Sequence, residues 1–285
     1  MPDLLRLSDR TSSQLERLLA RIGEPPSPSV AGRRVALLWN GLAMRNRAAL
    51  DLAAADLRLV CVEAKSVLGG RESARDLAAY LDNWFDASVV RGAALAQLSE
   101  FARWSRGSVI NAGGPDSHPT EVLSDLAYLA DRYGTISGLT LGFVGPATNV
   151  LASWLQAASR LDMRVIQVAP ATFWAAAPSV AAFQATEDPA GLADADVVYT
   201  DCWWPVRLAA PENKDALLSL LSGYRLSGKL LSYAAPDTPV LHGPPVTPGL
   251  EIDADLLDDP RYVAWTAKRW LLPTMTAVLT EALGG

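Results

Sequence analysis

The feature that most limits the fold is a recurring alternation of short apolar runs with segments of helical spacing. Arg34-Val35-Ala36-Leu37-Leu38-Trp39 is the clearest run, and the turn pair Asn40-Gly41 ends it. Further strands are read at 57–63, 87–91 and 108–111, with helices at about 44–56, 72–84 and 94–105 between them. A half-exposed strand alternates apolar and polar residues, whereas a strand covered on both faces is a continuous apolar run. The spacing therefore predicts a parallel sheet with helices on both faces. A second series starts after Gly138, with strands at 139–144, 164–168, 196–200, 229–232 and 239–241. The predicted class is α/β, with two doubly wound parallel-sheet domains joined by helices. A helix over 119–134 links the halves, and a C-terminal helix over 266–283 returns to the first. The expected domains are 1–130 plus 266–285, and 131–265. An N-terminal helix over about 11–22 precedes them, with Ser8 or Thr11 as cap, and the Pro-rich segment 24–32 is a connector.

Length and composition narrow the function. The chain has 285 residues, enough for two such domains. A net charge of −6 argues against nucleic acid as a partner. No apolar run reaches membrane-spanning length, so no membrane partner is expected. Cys61 and Cys202 form neither a CxxC nor a metal-ligand spacing, so no metal is predicted. With no disulfide framework and a charged, amphipathic N-terminus unlike a signal peptide, a reducing cytoplasm is the expected location. A dinucleotide cofactor is rejected as well. The turn Gly145-Pro146-Ala147-Thr148-Asn149 lacks the G-x-G-x-x-G pattern, and its proline removes an amide donor. No cofactor is expected.

The chemistry points to Asn111-Ala-Gly-Gly-Pro-Asp-Ser-His118-Pro-Thr-Glu121. The chain has two histidines, and each opens a Pro-containing motif: His118-Pro-Thr-Glu121 and His242-Gly-Pro-Pro245. A polar loop that delivers a histidine to a helix start suits a site for a carbonyl or a phosphate.

Together with Leu139–Val150, these motifs resemble the aspartate/ornithine carbamoyltransferase superfamily, and the likeness extends over most of residues 30–280. The family places two α/β domains around a cleft. Its phosphate loop reads Ser-Thr-Arg-Thr-Arg; here Ala43-Met44-Arg45-Asn46-Arg47 stands there, keeping both arginines and losing the hydroxyls. The resemblance implies that Arg45 binds phosphate, with Asn46 supplying one donor. Arg91 and His118 correspond to the family's contacts to the carbonyl oxygen. Glu121 replaces the glutamine that holds the carbamoyl amide. Ser66 and Arg71 fall in the loop that reaches a neighbouring subunit's site, and Arg269 matches an arginine near the ligand. Asn149 and Asp201 match acceptor contacts. Asp201–Arg207 departs from the Ser-Met-Gly of ornithine enzymes, and His242-Gly-Pro-Pro245 replaces their His-Cys-Leu-Pro.

Carbamoyl transfer must neutralise a phosphate leaving group, polarise a carbonyl and aim a neutral amine. Helix N-termini and arginine forks suit the first, and Arg91 with His118 would stabilise the developing oxyanion. The resemblance thus implies a carbamoyltransferase-like enzyme acting on small molecules, assembled as a homotrimer. The altered segment 201–207, where Arg207 could meet an acidic group, motivates an acceptor other than aspartate or ornithine. Ala43, Met44 and Glu121 motivate two alternatives: a scaffold turned to a non-phosphorylated substrate, by condensation or cyclisation, or a non-catalytic homologue.

Overall fold

The computed structural model of the protein describes residues 2–41, 43–64, 68–176, 182–203 and 210–285. The chain divides into two compact units. Unit 1 is Met1–Tyr128 with Arg269–Gly285, and unit 2 is Leu129–Lys268.

Unit 1 is built on a four-stranded parallel sheet in the order β2-β1-β3-β4. The strands are β1 (Arg34–Trp39), β2 (Val60–Ala64), β3 (Ala87–Arg91) and β4 (Ser108–Asn111). Helices α2 (Met44–Asp56), α3 (Ala74–Leu81) and α4 (Leu95–Trp104) alternate with them. Three of the four apolar runs behave as read, since Val35, Leu37, Val89 and Val109 are fully or almost fully buried, whereas β2 lies at the sheet edge and is largely exposed. The leading helix α1 (Ser12–Arg21) opens with a reciprocal capping box between Thr11 and Gln14. Helix α5 (Pro119–Tyr133) follows β4 and runs on into unit 2.

From Arg269 onward the C-terminal segment falls in unit 1, and the expected helix is broken into pieces. A short α9 (Ala264–Ala267, still in unit 2) and a 3-10 turn (Lys268–Trp270) precede the main helix Leu271–Ala282, α10. α10 packs against α2, and Glu281 near its end forms a two-pronged ion pair with Arg10.

Unit 2 carries a five-stranded parallel sheet in the order β7-β6-β5-β8-β9. Its strands are β5 (Thr140–Val144), β6 (Arg164–Val168), β7 (Phe183–Thr186), β8 (Val197–Asp201) and β9 (Val240–Gly243). α6 (Asn149–Ala158) follows β5, and α7 (Pro211–Leu221) precedes β9. Two sequence expectations fail here. Residues 229–232 form no strand; Gly228–Leu231 is a short helix, α8, because Ser227 caps it by accepting from Leu230 N. The outer strand is instead β7, whose residues are only partly covered and therefore lack the apolar run of its neighbours.

Candidate active site

β3 ends at Arg91, and the loop after β4 ends at His118, immediately before α5. In unit 1 these two side chains meet: Arg91 Nη1 lies 2.7 Å from His118 Nε2. Arg91 Nη1 also donates to the Ala112 carbonyl at 2.6 Å, which fixes the guanidinium against the loop. Burial pushes the Arg91 pKa down, opposed by the nearby Glu121 carboxylate.

Gly113 makes this approach possible. Its φ is +106°, and a Cβ there would lie 2.0 Å from Arg91 Nη1 and 2.7 Å from His118 Nε2. The sequence reading passed over this glycine. The Gly113-Gly114 pair right after a buried strand was the available signal.

His118 Nδ1 lies 3.3 Å from the backbone N of Glu121 and 3.4 Å from Thr120 Oγ1. An arginine can only donate, so Nε2, 2.7 Å from Arg91 Nη1, is the accepting nitrogen of the neutral ring and holds the guanidinium in place. A carbonyl oxygen that accepts from this guanidinium would be polarised towards an oxyanion. Glu121 is buried, with Oε2 3.9 Å from His118 Nε2. Asn46, in the first turn of α2, reaches the same atom with Nδ2 at 2.9 Å. Arg91, His118, Glu121 and Asn46 are therefore brought together.

The remaining predicted cations of unit 1 are not bonded to this cluster among the described residues. Arg45, Arg71 and Arg269 are exposed and make no hydrogen bond or ion pair among the described residues. Arg47 is held by Asp51 at 2.8 Å and by Glu63. The first turn of α2 has no side-chain cap, because Ala43 precedes it. Its leading N–H groups are the kind of donor that binds phosphate oxygens. Ser66 lies outside the described residues.

In unit 2, Asn149 begins α6, whose cap Thr148 accepts from Leu151 N at 3.2 Å. Asp201 ends β8, and its Oδ1 accepts from Cys202 N at 2.8 Å. Gly243 is the register partner of Asp201, and a Cβ on it would lie 2.3 Å from that carboxylate oxygen. His242 is enclosed within unit 2, with Nε2 3.6 Å from Glu251 Oε1 and its ring beside Tyr262. Arg207 and Trp204 lie outside the described residues. Among the described residues, no group of three or more His, Cys, Asp or Glu could hold a metal ion, and no helix is long and apolar enough to cross a membrane.

Known proteins resemble the chain along its whole length. Residues 2–131 match the carbamoyl-P binding domain of aspartate/ornithine carbamoyltransferase, and residues 137–281 match its Asp/Orn binding domain. An ornithine carbamoyltransferase from Sorangium cellulosum is 32% identical, covering 99% of this chain and 97% of the relative. One from Methanoculleus marisnigri is 28% identical over the same shares. The structure of ornithine carbamoyltransferase from Pyrococcus furiosus superposes with a TM-score of 0.90 at 25% identity, covering 100% of this chain and 97% of that one.

These findings correct the sequence reading in one respect. An acceptor other than aspartate or ornithine was inferred from the altered segment 201–207. That inference assumed that each changed side chain touches the acceptor, and most of the segment lies outside the described residues. End-to-end likeness to proteins named ornithine carbamoyltransferase removes its ground. The alternatives of a non-phosphorylated substrate and of a non-catalytic homologue fall with it. With both halves matched in order and a relative 32% identical along nearly its whole length, the chain belongs to the aspartate/ornithine carbamoyltransferase family and is a transferase.

Proposed function

We propose that the protein transfers the carbamoyl group of carbamoyl phosphate to ornithine. The observation that carries the reading is the meeting of Arg91 and His118 at 2.7 Å, in the half of the chain matched to a carbamoyl-P binding domain. The neutral side-chain amine of ornithine attacks the carbonyl carbon. A C–N bond forms, the C–O bond to phosphate breaks, and phosphate departs with the electron pair while the nitrogen gives up a proton. Arg91, held in place by His118, stabilises the oxyanion formed in between, so positioning and charge supply the rate.

Residues 1–130 with 266–285 serve carbamoyl phosphate, and 131–265 serve the amino acid. Arg45 and the uncapped start of α2 contact phosphate, with Arg71 and Arg269 as further cations. Glu121 accepts from the carbamoyl NH2, and Asn149 and Asp201 contact ornithine. The direct test is stoichiometric formation of citrulline and phosphate from carbamoyl phosphate and ornithine, with aspartate as control. Arg91→Ala or His118→Ala is expected to lower kcat by about 10²–10³. Folded protein that makes no citrulline would overturn the reading.

The same reading carries a homotrimer in the cytoplasm. Supporting the assembly, Met44, Leu52, Val60 and Val62 of unit 1 are large apolar side chains left exposed, the last two on the edge strand β2. Light scattering that returns the mass of a single chain would sink the assembly.

A further inference from the structure

We propose that Gly243 is a positioning residue, which sets the affinity for the amino acid by leaving room for the Asp201 carboxylate. This rests on the reading of Asp201 as a contact to ornithine. Asp201 ends β8, Gly243 ends β9, and the two are register partners in parallel strands. Register partners on neighbouring strands put their side chains on the same face of the sheet. Position 243 carries no side chain, and the buried Asp201 carboxylate lies in the space that one would fill. A Cβ there would overlap Asp201 Oδ1 and come within 3.2 Å of the Tyr199 hydroxyl oxygen.

The neighbours decide what would move if position 243 gained a methyl group. The Tyr199 ring is stacked on Phe143, with centroids 5.6 Å apart, and meets Trp154 edge-on at 5.7 Å, so it is held from two sides. The backbone of Gly243 is held as well. Its carbonyl accepts from Cys202 N at 3.2 Å, and Pro244 narrows the conformations open to the residue before it. The carboxylate, by contrast, turns about two side-chain bonds. Turning it away breaks the bond in which Oδ1 accepts from Cys202 N at 2.8 Å. That bond and the bare position 243 together aim the carboxylate. An ion-paired hydrogen bond to an ammonium group depends on such aim, so the empty space at 243 acts on the acceptor through Asp201.

The test combines crystal structures with steady-state kinetics of Gly243→Ala, Asp201→Ala and the double variant. In Gly243→Ala the Asp201 carboxylate is expected to have left its place over residue 243. KM for ornithine should rise about 10–100-fold, the equivalent of one hydrogen bond to a charged group, with KM for carbamoyl phosphate unchanged. In the Asp201→Ala background the same methyl meets no carboxylate, so it should alter neither the remaining rate nor Tm. The double variant also decides the case in which Gly243→Ala does not fold: it should then fold with the Tm of Asp201→Ala, and its failure to do so would overturn the proposal. An unmoved carboxylate in Gly243→Ala, or a wild-type KM for ornithine, would overturn it too. Because the crystal structures need no turnover, the two readings fail separately. A wild type that makes no citrulline sinks the functional reading, whereas an active wild type with Asp201 unmoved by the methyl sinks this one.

Discussion

A methyl group at position 113 would strike both Arg91 and His118. Alanine there must adopt a φ of +106°, and its Cβ would overlap Arg91 Nη1 at 2.0 Å. Gly113→Ala is therefore expected to separate Arg91 from His118 and to lower kcat for citrulline formation at least tenfold, with a smaller change in Tm. An unchanged kcat would show that the pair need not meet. Tyr262 gives a prediction of a different kind. Burial, with a smaller push from Glu251 and an opposing pull from Lys268, raises its pKa to about 12. The fold thus favours the protonated phenol, so this residue's contribution is constant below about pH 10 and is lost as pH rises towards 12. The loss is on the order of 2–3 kcal/mol over those two units. Tyr262 OH is also buried without a hydrogen-bond partner among the described residues. Tyr262→Phe should flatten that alkaline slope in urea-unfolding titrations and leave neutral-pH stability equal or slightly higher. At this scale the sequence was partly legible. His118 could be named because a polar loop delivers it to a helix start, and Arg91 because it stands where the resembled family has its carbonyl-contacting arginine. The partner of Asn46 could not be named, because sequence position does not say which neighbour a buried amide meets.

Elements with both faces covered were the most readable, since their composition answers to burial alone. β1, β3 and β4 match the runs read at 34–39, 87–91 and 108–111. Legibility failed where local chemistry outweighed apolar content. Lys229-Leu230-Leu231-Ser232 looks like a short strand by its apolar pair, yet Ser227 starts a helical turn by accepting from Leu230 N at 3.2 Å. If that cap decides the conformation, Ser227→Ala should cost about 1 kcal/mol in a denaturation midpoint. A cost near zero would assign the turn to packing of Leu230 and Leu231 instead. β7 was missed for the converse reason: as a partly covered edge strand, Phe-Gln-Ala-Thr carries little apolar signal.

At the scale of the whole chain, the first unit is closed by residues from its two ends. Arg10 and Glu281 lie 271 positions apart and form a two-pronged contact, with Arg10 Nη2 2.9 Å from Glu281 Oε2. Arg10 is 5% exposed and Glu281 21%. Removing the carboxylate strands a buried guanidinium, whereas replacing both partners by apolar groups removes the desolvation cost as well. Glu281→Ala is therefore expected to destabilise unit 1 by about 3 kcal/mol, the low end for a buried pair because Glu281 is partly hydrated. Arg10→Met with Glu281→Leu should recover most of that loss. Hydrogen exchange resolved by peptide can locate the effect. Faster exchange in β1, β3 and α10, with β5 and β8 unchanged, is the expected pattern. Equal acceleration in both sets would mean that the pair supports the whole chain, and that the two units do not unfold separately.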